Sequence, residues 1–313
     1  HVIGDTIVDS YTKTNLIGGY TKTPTASVLY QEKINYTGGA SIVSKHLKKA
    51  GAEVCFTTIL GSDELKNFVI SEMKRNKIKL NAIIDKTRPT TNKNTIVASG
   101  YNLLKIDKVD NQPISTINLE KVKNLIKKQK ADAVIFSDFR HGIFNKTSIP
   151  ILTSSIKKGV FKVADSQVAT RWGNITDFKN FDIIFPNEKE ARFCLGDQDS
   201  SIASLCRRLI TESKCKNLVL KLGEKGLYGV STKKGKYLFA VPAITNSAKD
   251  PVGAGDSLLA YTTLSFLIGC SLAESSIMGS LAASVACEFD GNSPISKKMV
   301  VQKINQLVKS INY

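Results

Sequence analysis

The chain has 313 residues, 42% of them hydrophobic, and a formal net charge of +17. That length and apolar content are ordinary for a globular protein with a sizeable core, and no apolar run approaches the length of a membrane span, so no membrane partner is expected. The charge is mostly Lys scattered through helical and turn segments, without a helix-turn-helix, zinc-finger or base-stacking signature, which argues against a nucleic-acid partner.

The chain opens at His1-Val2-Ile3, inside a strand, so a few native residues or a preceding domain are expected upstream. Gly4-Asp5-Thr6-Ile7-Val8-Asp9 follows that strand directly, and paired carboxylates there suit adjacent hydroxyl groups of a ligand. Residues 10–36 and 94–108 lack helical periodicity and are rich in Thr, Tyr, Val and Ile, which predicts exposed strands of a small separate sheet. Between them, Gly38-Gly39-Ala40-Ser41 precedes a helical stretch over 41–50. Bare glycines at a helix entry let the backbone approach a ligand closely, and equally make a plain turn.

From about residue 117, strand-like runs at 133–136, 161–164, 182–185 and 218–220 alternate with helical segments at roughly 118–129, 147–158, 187–195 and 199–214. Such alternation predicts βαβ units and a mainly parallel sheet covered on both faces. Ligands bind at the carboxyl edge of such a sheet, where Asp138, Asp165, Asn187 and Glu190 fall. Asn187 with Glu190 three residues on reads as a helix capping box, and it also offers oxygens to a hard divalent cation that keeps its waters. The six cysteines have no metal-ligand spacing, and several lie among apolar residues, so buried thiols in a cytoplasmic, reducing compartment are expected.

The stretch Asp250-Pro251-Val252-Gly253-Ala254-Gly255-Asp256-Ser257 is the most informative. Its glycines bare the amides at the start of an apolar helix, a natural cradle for phosphate oxygens. Asp256 has the wrong charge to bind phosphate, and makes sense as a base that takes a proton from an attacking hydroxyl. Helices over 254–269, 272–289 and 297–311 complete the chain.

This octapeptide resembles the C-terminal signature of the ribokinase-like (phosphofructokinase-B) sugar kinases. The resemblance extends over nearly the whole chain and implies a single three-layer α/β/α domain over 1–313. Its central sheet is mainly parallel, and its β-lid is formed by about 10–36 and 94–108. It implies Asp256 as catalytic base, Gly253, Ala254 and Gly255 as the anion hole, and Asp5, Asp9, Gly38, Gly39, Lys93, Lys105 and Asp138 as substrate contacts. On the nucleotide side it implies Asn187, Glu190, Lys221, Gly223, Gly226, Ala283 and Asn292, with Glu190 holding Mg2+ through water beside ATP. Lys221 replaces a small hydroxyl residue of the family loop, and it either pairs with a phosphate or points to solvent.

Within the family, several motifs resemble the heptose-phosphate kinases: Gly4-Asp5 through Asp9 and Tyr11, Pro89-Thr90-Thr91 with Lys93, Leu103-Leu104-Lys105-Ile106-Asp107, and Ser137-Asp138-Phe139 with Gly142. The implied reaction is ATP-dependent phosphorylation of heptose 7-phosphate, with another sugar or phosphosugar as the alternative substrate. A non-catalytic sugar-phosphate sensor on the same fold is the competing class. There are departures: Ile42 stands where the family has a sugar-binding Asn, Asp165-Ser166-Gln167 replaces Asp-Pro-Lys, and Thr95 replaces a lid Arg. Lys93, Lys105, Arg140 and Arg171 then remain as cationic partners for the sugar's own phosphate. A homodimer through the lid is also implied. The His-x-Gly-His signature of the nucleotidyltransferase half of some bifunctional relatives does not occur in these residues.

Overall fold

The computed structural model describes residues 1–18, 25–167, 173–232, 237–244, 249–289 and 291–311. Arg171 lies outside them.

The first strand, β1 (Val2–Gly4), sits in the middle of the large sheet, parallel to β4 (Cys55–Leu60) on one side and β8 (Ala133–Asp138) on the other. Outward from β4 comes β5 (Lys79–Ile84). Outward from β8 come β9 (Phe161–Ser166), β10 (Ile183–Ile184) and β11 (Asn217–Lys221), all parallel. An antiparallel edge, β12 (Leu227–Ser231) and β13 (Tyr237–Val241), completes nine strands.

Period-two alternation divides the strand residues between two cores. Ile3, Val134, Phe136, Ala164, Ile184, Leu218 and Leu220 face one side. There they meet α3 (Thr116–Lys128), α6 (Ile202–Ser213) and an aromatic knot of Phe144, Phe178 and Phe181 around Phe136. Val2, Phe56, Ile135, Val163, Ile183 and Val219 face the other side. They pack against α1 (Ala40–Ala50), α2 (Glu64–Arg75), α7 (Ala254–Leu267) and the start of α8 (Leu272–Ala286). The helix α9 (Lys297–Ile311) lies against α8. The apolar runs read from sequence as strands are therefore continuous because both of their faces are buried. The segment expected to be helical over 147–158 contains α4 only over Ser148–Thr153.

A second sheet of four strands has the order β3 (Val28–Gly39), β2 (Thr6–Leu16), β6 (Asn92–Ala98), β7 (Tyr101–Lys108). Only Asp5 separates β1 from β2, and β3 runs straight into α1, so this sheet is carried on the carboxyl end of the central strand. One rung crosses all four strands: Tyr36, Asp9, Lys93 and Asp107 stand in register, alternating carboxylate and ammonium across its last three members. The outer strand β7 is exposed along its length.

Candidate active site

The amide-rich loop before α7 is tied down from both ends. Asp250 accepts hydrogen bonds from the amides of Val252 (2.9 Å) and Gly291 (2.9 Å), binding the loop to the segment after α8. Gly253 occupies the N-cap of α7 in the left-handed region (φ 81°), and no side chain caps the helix. The Ala254 amide reaches the Pro251 carbonyl at 3.2 Å. The amides of Gly255 and Asp256 follow in the first turn, where no helix carbonyl precedes them, so they can point at an anion.

Asp256 sits in that first turn, partly exposed. Burial raises its carboxyl to about 7, the neighbouring charges of Asp165, Asp9 and Glu190 push it the same way, and Lys221 opposes them. A carboxyl held there is poised to take and return a proton near neutrality.

Lys221, at the end of β11, donates to both oxygens of Asp165 on β9, at 3.1 and 2.9 Å. Its ammonium is therefore turned inward to Asp165 rather than out to solvent. Its ammonium lies along the first turn of α7, 3.6 Å from where a Cβ on Gly255 would be. Burial pulls its pKa down, but Asp165, Glu190 and Asp256 outweigh that, and the net shift is upward. Asn187 and Glu190 form a reciprocal capping box on α5 (Glu188–Leu195): Glu190 N–H donates to Asn187 Oδ1 at 2.8 Å, and Asn187 N–H to Glu190 Oε2 at 2.7 Å. Gly223 opens a single 3-10 turn, and Gly226 (φ 88°) ends it, where a Cβ would come within 2.1 Å of the Val241 carbonyl. Asn187, Lys189, Phe193, Lys221 and Gly223 are among the residues lining a cleft of about 950 Å³. Three carboxylates, Asp165, Glu190 and Asp256, thus act on one half-buried ammonium, a balance that suits a hard cation bound through water. Among the described residues, no group of three or more acidic, His or Cys side chains forms a ready-made metal cage.

On the lid side, Asp9 accepts a hydrogen bond from Asn292 Nδ2 at 2.9 Å. Burial raises the Asp9 pKa, opposed by Lys93, Lys105 and the Asn292 bond. Gly38 abuts this pair, and a Cβ there would stand 2.3 Å from Asp9 Oδ2 and 2.9 Å from Asn292 Nδ2. Asp9, Gly38, Lys93 and Lys105 thus gather around one carboxylate, and Asn292 links it to Gly253.

Other candidate residues are turned toward the protein itself. Asp5 Oδ2 accepts the amides of Phe139 (3.0 Å) and His141 (3.2 Å). Gly39 (φ 62°) makes room for the Asp5 carbonyl, which accepts the Ala40 amide at 2.9 Å. Asp138 is fully engaged: Oδ1 takes the Arg140 amide at 2.8 Å, and Oδ2 takes the Ser166 hydroxyl at 2.7 Å and the Arg140 guanidinium at 2.8 Å. Burial pushes its carboxyl up to about 7. Arg140 adopts a left-handed backbone (φ 59°) to make this contact, and its other end lies 3.5 Å from Asp177, which leaves it no free fork for a sugar phosphate. Ile42 is buried in α1. Ala283 packs against the apolar core, and Asn292 stands beside Asp9 rather than on the Asn187 side. The pairing of Asn292 with Asp9 had no local sequence signal, because the two lie at opposite ends of the chain.

Comparison with known proteins bears on the family and the fold. The chain is 25% identical over 312 residues to the bifunctional protein HldE of Sulfurimonas denitrificans, covering 99% of this chain and 65% of that protein. It is 28% identical over 314 residues to the bifunctional protein HldE of Helicobacter pylori J99, covering 97% of this chain and 66% of the relative. The chain therefore spans just under two thirds of the length of these relatives. Its fold is similar to that of phosphofructokinase-2 from Escherichia coli in complex with potassium, with TM-score 0.81, 18% identity and 98% of each chain covered. It is also similar to ribokinase of Arabidopsis thaliana complexed with ribose and ATP, with TM-score 0.73, 18% identity, and 96% of this chain and 97% of that one covered. The central sheet with its separate four-stranded lid is the ribokinase-like architecture. Residues 1–298 match the pfkB family of carbohydrate kinases, and the chain belongs to that family.

Proposed function

We propose that this kinase transfers the γ-phosphoryl group of ATP to a hydroxyl of a sugar phosphate, with heptose 7-phosphate as the preferred acceptor. The observation that carries the chemistry is Asp256, held near neutrality in the uncapped first turn of α7, within the field of Asp9 on the lid and Lys221 beneath the loop. Asp256 takes the proton of the acceptor hydroxyl as its oxygen attacks the γ-phosphorus. A new P–O bond forms, the bond to the bridging oxygen breaks, and ADP leaves. Charge developing on the transferred group meets the amides of the Gly253–Gly255 loop and the dipole of α7.

The nucleotide occupies the side lined by Asn187, Lys221, Gly223 and Gly226. Bound Mg2+ would neutralise phosphate charge, with Glu190 and Asn187 holding it through water. On the acceptor side, Asp9 receives sugar hydroxyls, and Lys93 and Lys105 face the acceptor's own phosphate. The heptose preference draws on the lid and strand-end motifs, of which Lys93, Lys105 and Asp107 lie on adjacent lid strands. The exposed apolar residues Leu29, Tyr30, Leu104 and Ile106 support a homodimer formed through the lid.

The test is ADP release with Mg-ATP across heptose 7-phosphate, fructose 6-phosphate, ribose and adenosine, with Asp256→Asn as control. Selective turnover of heptose 7-phosphate supports the full reading. Turnover of another acceptor retains the kinase and discards the heptose assignment. No turnover of any acceptor, with ATP still bound, overturns catalysis and favours a sensor.

A further inference from the structure

The amide of Asn292 has two unlike ends. Its nitrogen donates to Asp9 Oδ2 at 2.9 Å, which fixes the orientation of the group: the reverse orientation would set the amide oxygen against a carboxylate. Its Oδ1 then points at the α7 loop, 2.8 Å from where a Cβ on Gly253 would be. Asn292 is only 8% exposed, and this oxygen has no hydrogen-bond partner among the described residues. A buried acceptor without a donor is costly, and such groups are rare unless a ligand completes them.

The surroundings narrow the kind of donor. The space beside Asn292 is bounded by Gly38 and Gly253, neither of which carries a side chain. The ring of Tyr36 lies 3.8 Å from where a Cβ on Gly291 would be, and it packs edge-on against Tyr11 at 5.9 Å. The walls are therefore backbone, aromatic faces and a carboxylate, next to the loop that carries Asp256. A neutral hydroxyl donor fits there. An anionic phosphate does not, because it would bring more acceptors to Asp9 and to the amide oxygen.

We propose that Asn292 binds the acceptor sugar, its Oδ1 taking a hydrogen bond from a sugar hydroxyl while its Nδ2 aligns Asp9 for a neighbouring one. This deepens the kinase reading and rests on it. It moves Asn292 from the nucleotide to the acceptor and places an amide over the sugar although position 42 has none, since Ile42 is buried in α1.

The experiment measures KM and kcat for both substrates in the wild type, Asn292→Ala and Asn292→Asp, using whichever acceptor the wild type turns over, together with deoxy analogues of that acceptor. The expected result is an acceptor KM raised about tenfold to a hundredfold in Asn292→Ala, with the ATP KM within about twofold of wild type. One deoxy analogue should be penalised in the wild type and carry no further penalty in the variant, since the same hydrogen bond has been removed twice. A loss confined to ATP, or an unchanged acceptor KM and deoxy penalty, overturns the proposal and leaves the kinase assignment standing. Absence of wild-type turnover overturns both. Thermal melting checks folding; if Asn292→Ala does not fold, Asn292→Asp decides: it keeps an acceptor oxygen, so the deoxy penalty should persist, while the second carboxylate set against Asp9 should raise the acceptor KM and leave the ATP KM unchanged.

Discussion

The two sides of the site handle charge differently. Beneath the α7 loop the polar groups close on one another: Lys221 with Asp165, and Asn187 with Glu190. On the lid, Asp9 has one short bond among the described residues, from Asn292, and is otherwise balanced at a distance by Lys93 and Lys105. The first side is organised before any ligand arrives, as electrostatic stabilisation of a transition state requires. The second has hydrogen-bonding capacity in reserve, as discrimination among polyols requires. On the proposed roles, catalytic competence and acceptor choice are built in separate places, so each can be damaged alone.

The sharpest way to break the organised side is Asp256→Asn, expected to lower kcat by orders of magnitude, about 10²–10⁴-fold, with ATP affinity nearly intact in a binding titration. Next comes Lys221→Met. It leaves Asp165 buried without its partner, and is expected to cost about 3–5 kcal/mol in denaturant unfolding. The double variant Lys221→Met with Asp165→Asn should recover much of that stability; no recovery would mean that the pair is not the source of the loss. The open side is broken by Gly38→Ala, whose Cβ would displace Asp9. Acceptor kcat/KM should fall about 10²-fold while the ATP KM holds.

The pH profile sharpens the comparison further. With Asp256 as the proposed base, kcat/KM should rise as pH increases through about 7. Stability runs the opposite way. The folded carboxyls of Asp256 and Asp138 sit at about 7, well above the ordinary carboxylate range of an unfolded chain. The native state thus holds the extra protons between those limits. The contribution is fully present below about pH 4 and lost as pH rises through about 7. Melting temperature should therefore depend less on pH in Asp256→Asn than in the wild type. The smallest expected effect belongs to Leu104→Lys on the outer lid strand, which should lower the mass seen by light scattering and leave ATP binding unchanged.

Much of the architecture was legible because it is local. Apolar runs such as Ala133–Asp138 alternate with helices, and the glycine-bared loop opens α7. The site was legible only where a motif carries its own geometry, as Asn187 and Glu190 do through the capping box. Three placements depended on contacts across the fold. Lys221 found Asp165 on a strand two positions away in the sheet, Asp138 was taken up by Ser166 on the neighbouring strand, and Asn292 met Asp9. A residue's type names the bonds it can make; the partner it receives depends on which strands lie side by side.

The position of β1 has a consequence for how the protein is made. Val2 and Ile3 are fully buried between β4 and β8, with Val2 in register with Phe56 and with Ile135. On a ribosome, this strand emerges well before either neighbour and waits for Ile135, on the order of ten seconds at typical elongation rates. Both strand edges are open until Phe56 emerges, and the edge that β8 will cover stays open to other nascent chains until Ile135 does. The strand that carries the lid is therefore also the one most in need of shelter during synthesis, and slowed translation upstream of β8 should lower soluble yield more than the same delay placed after β11.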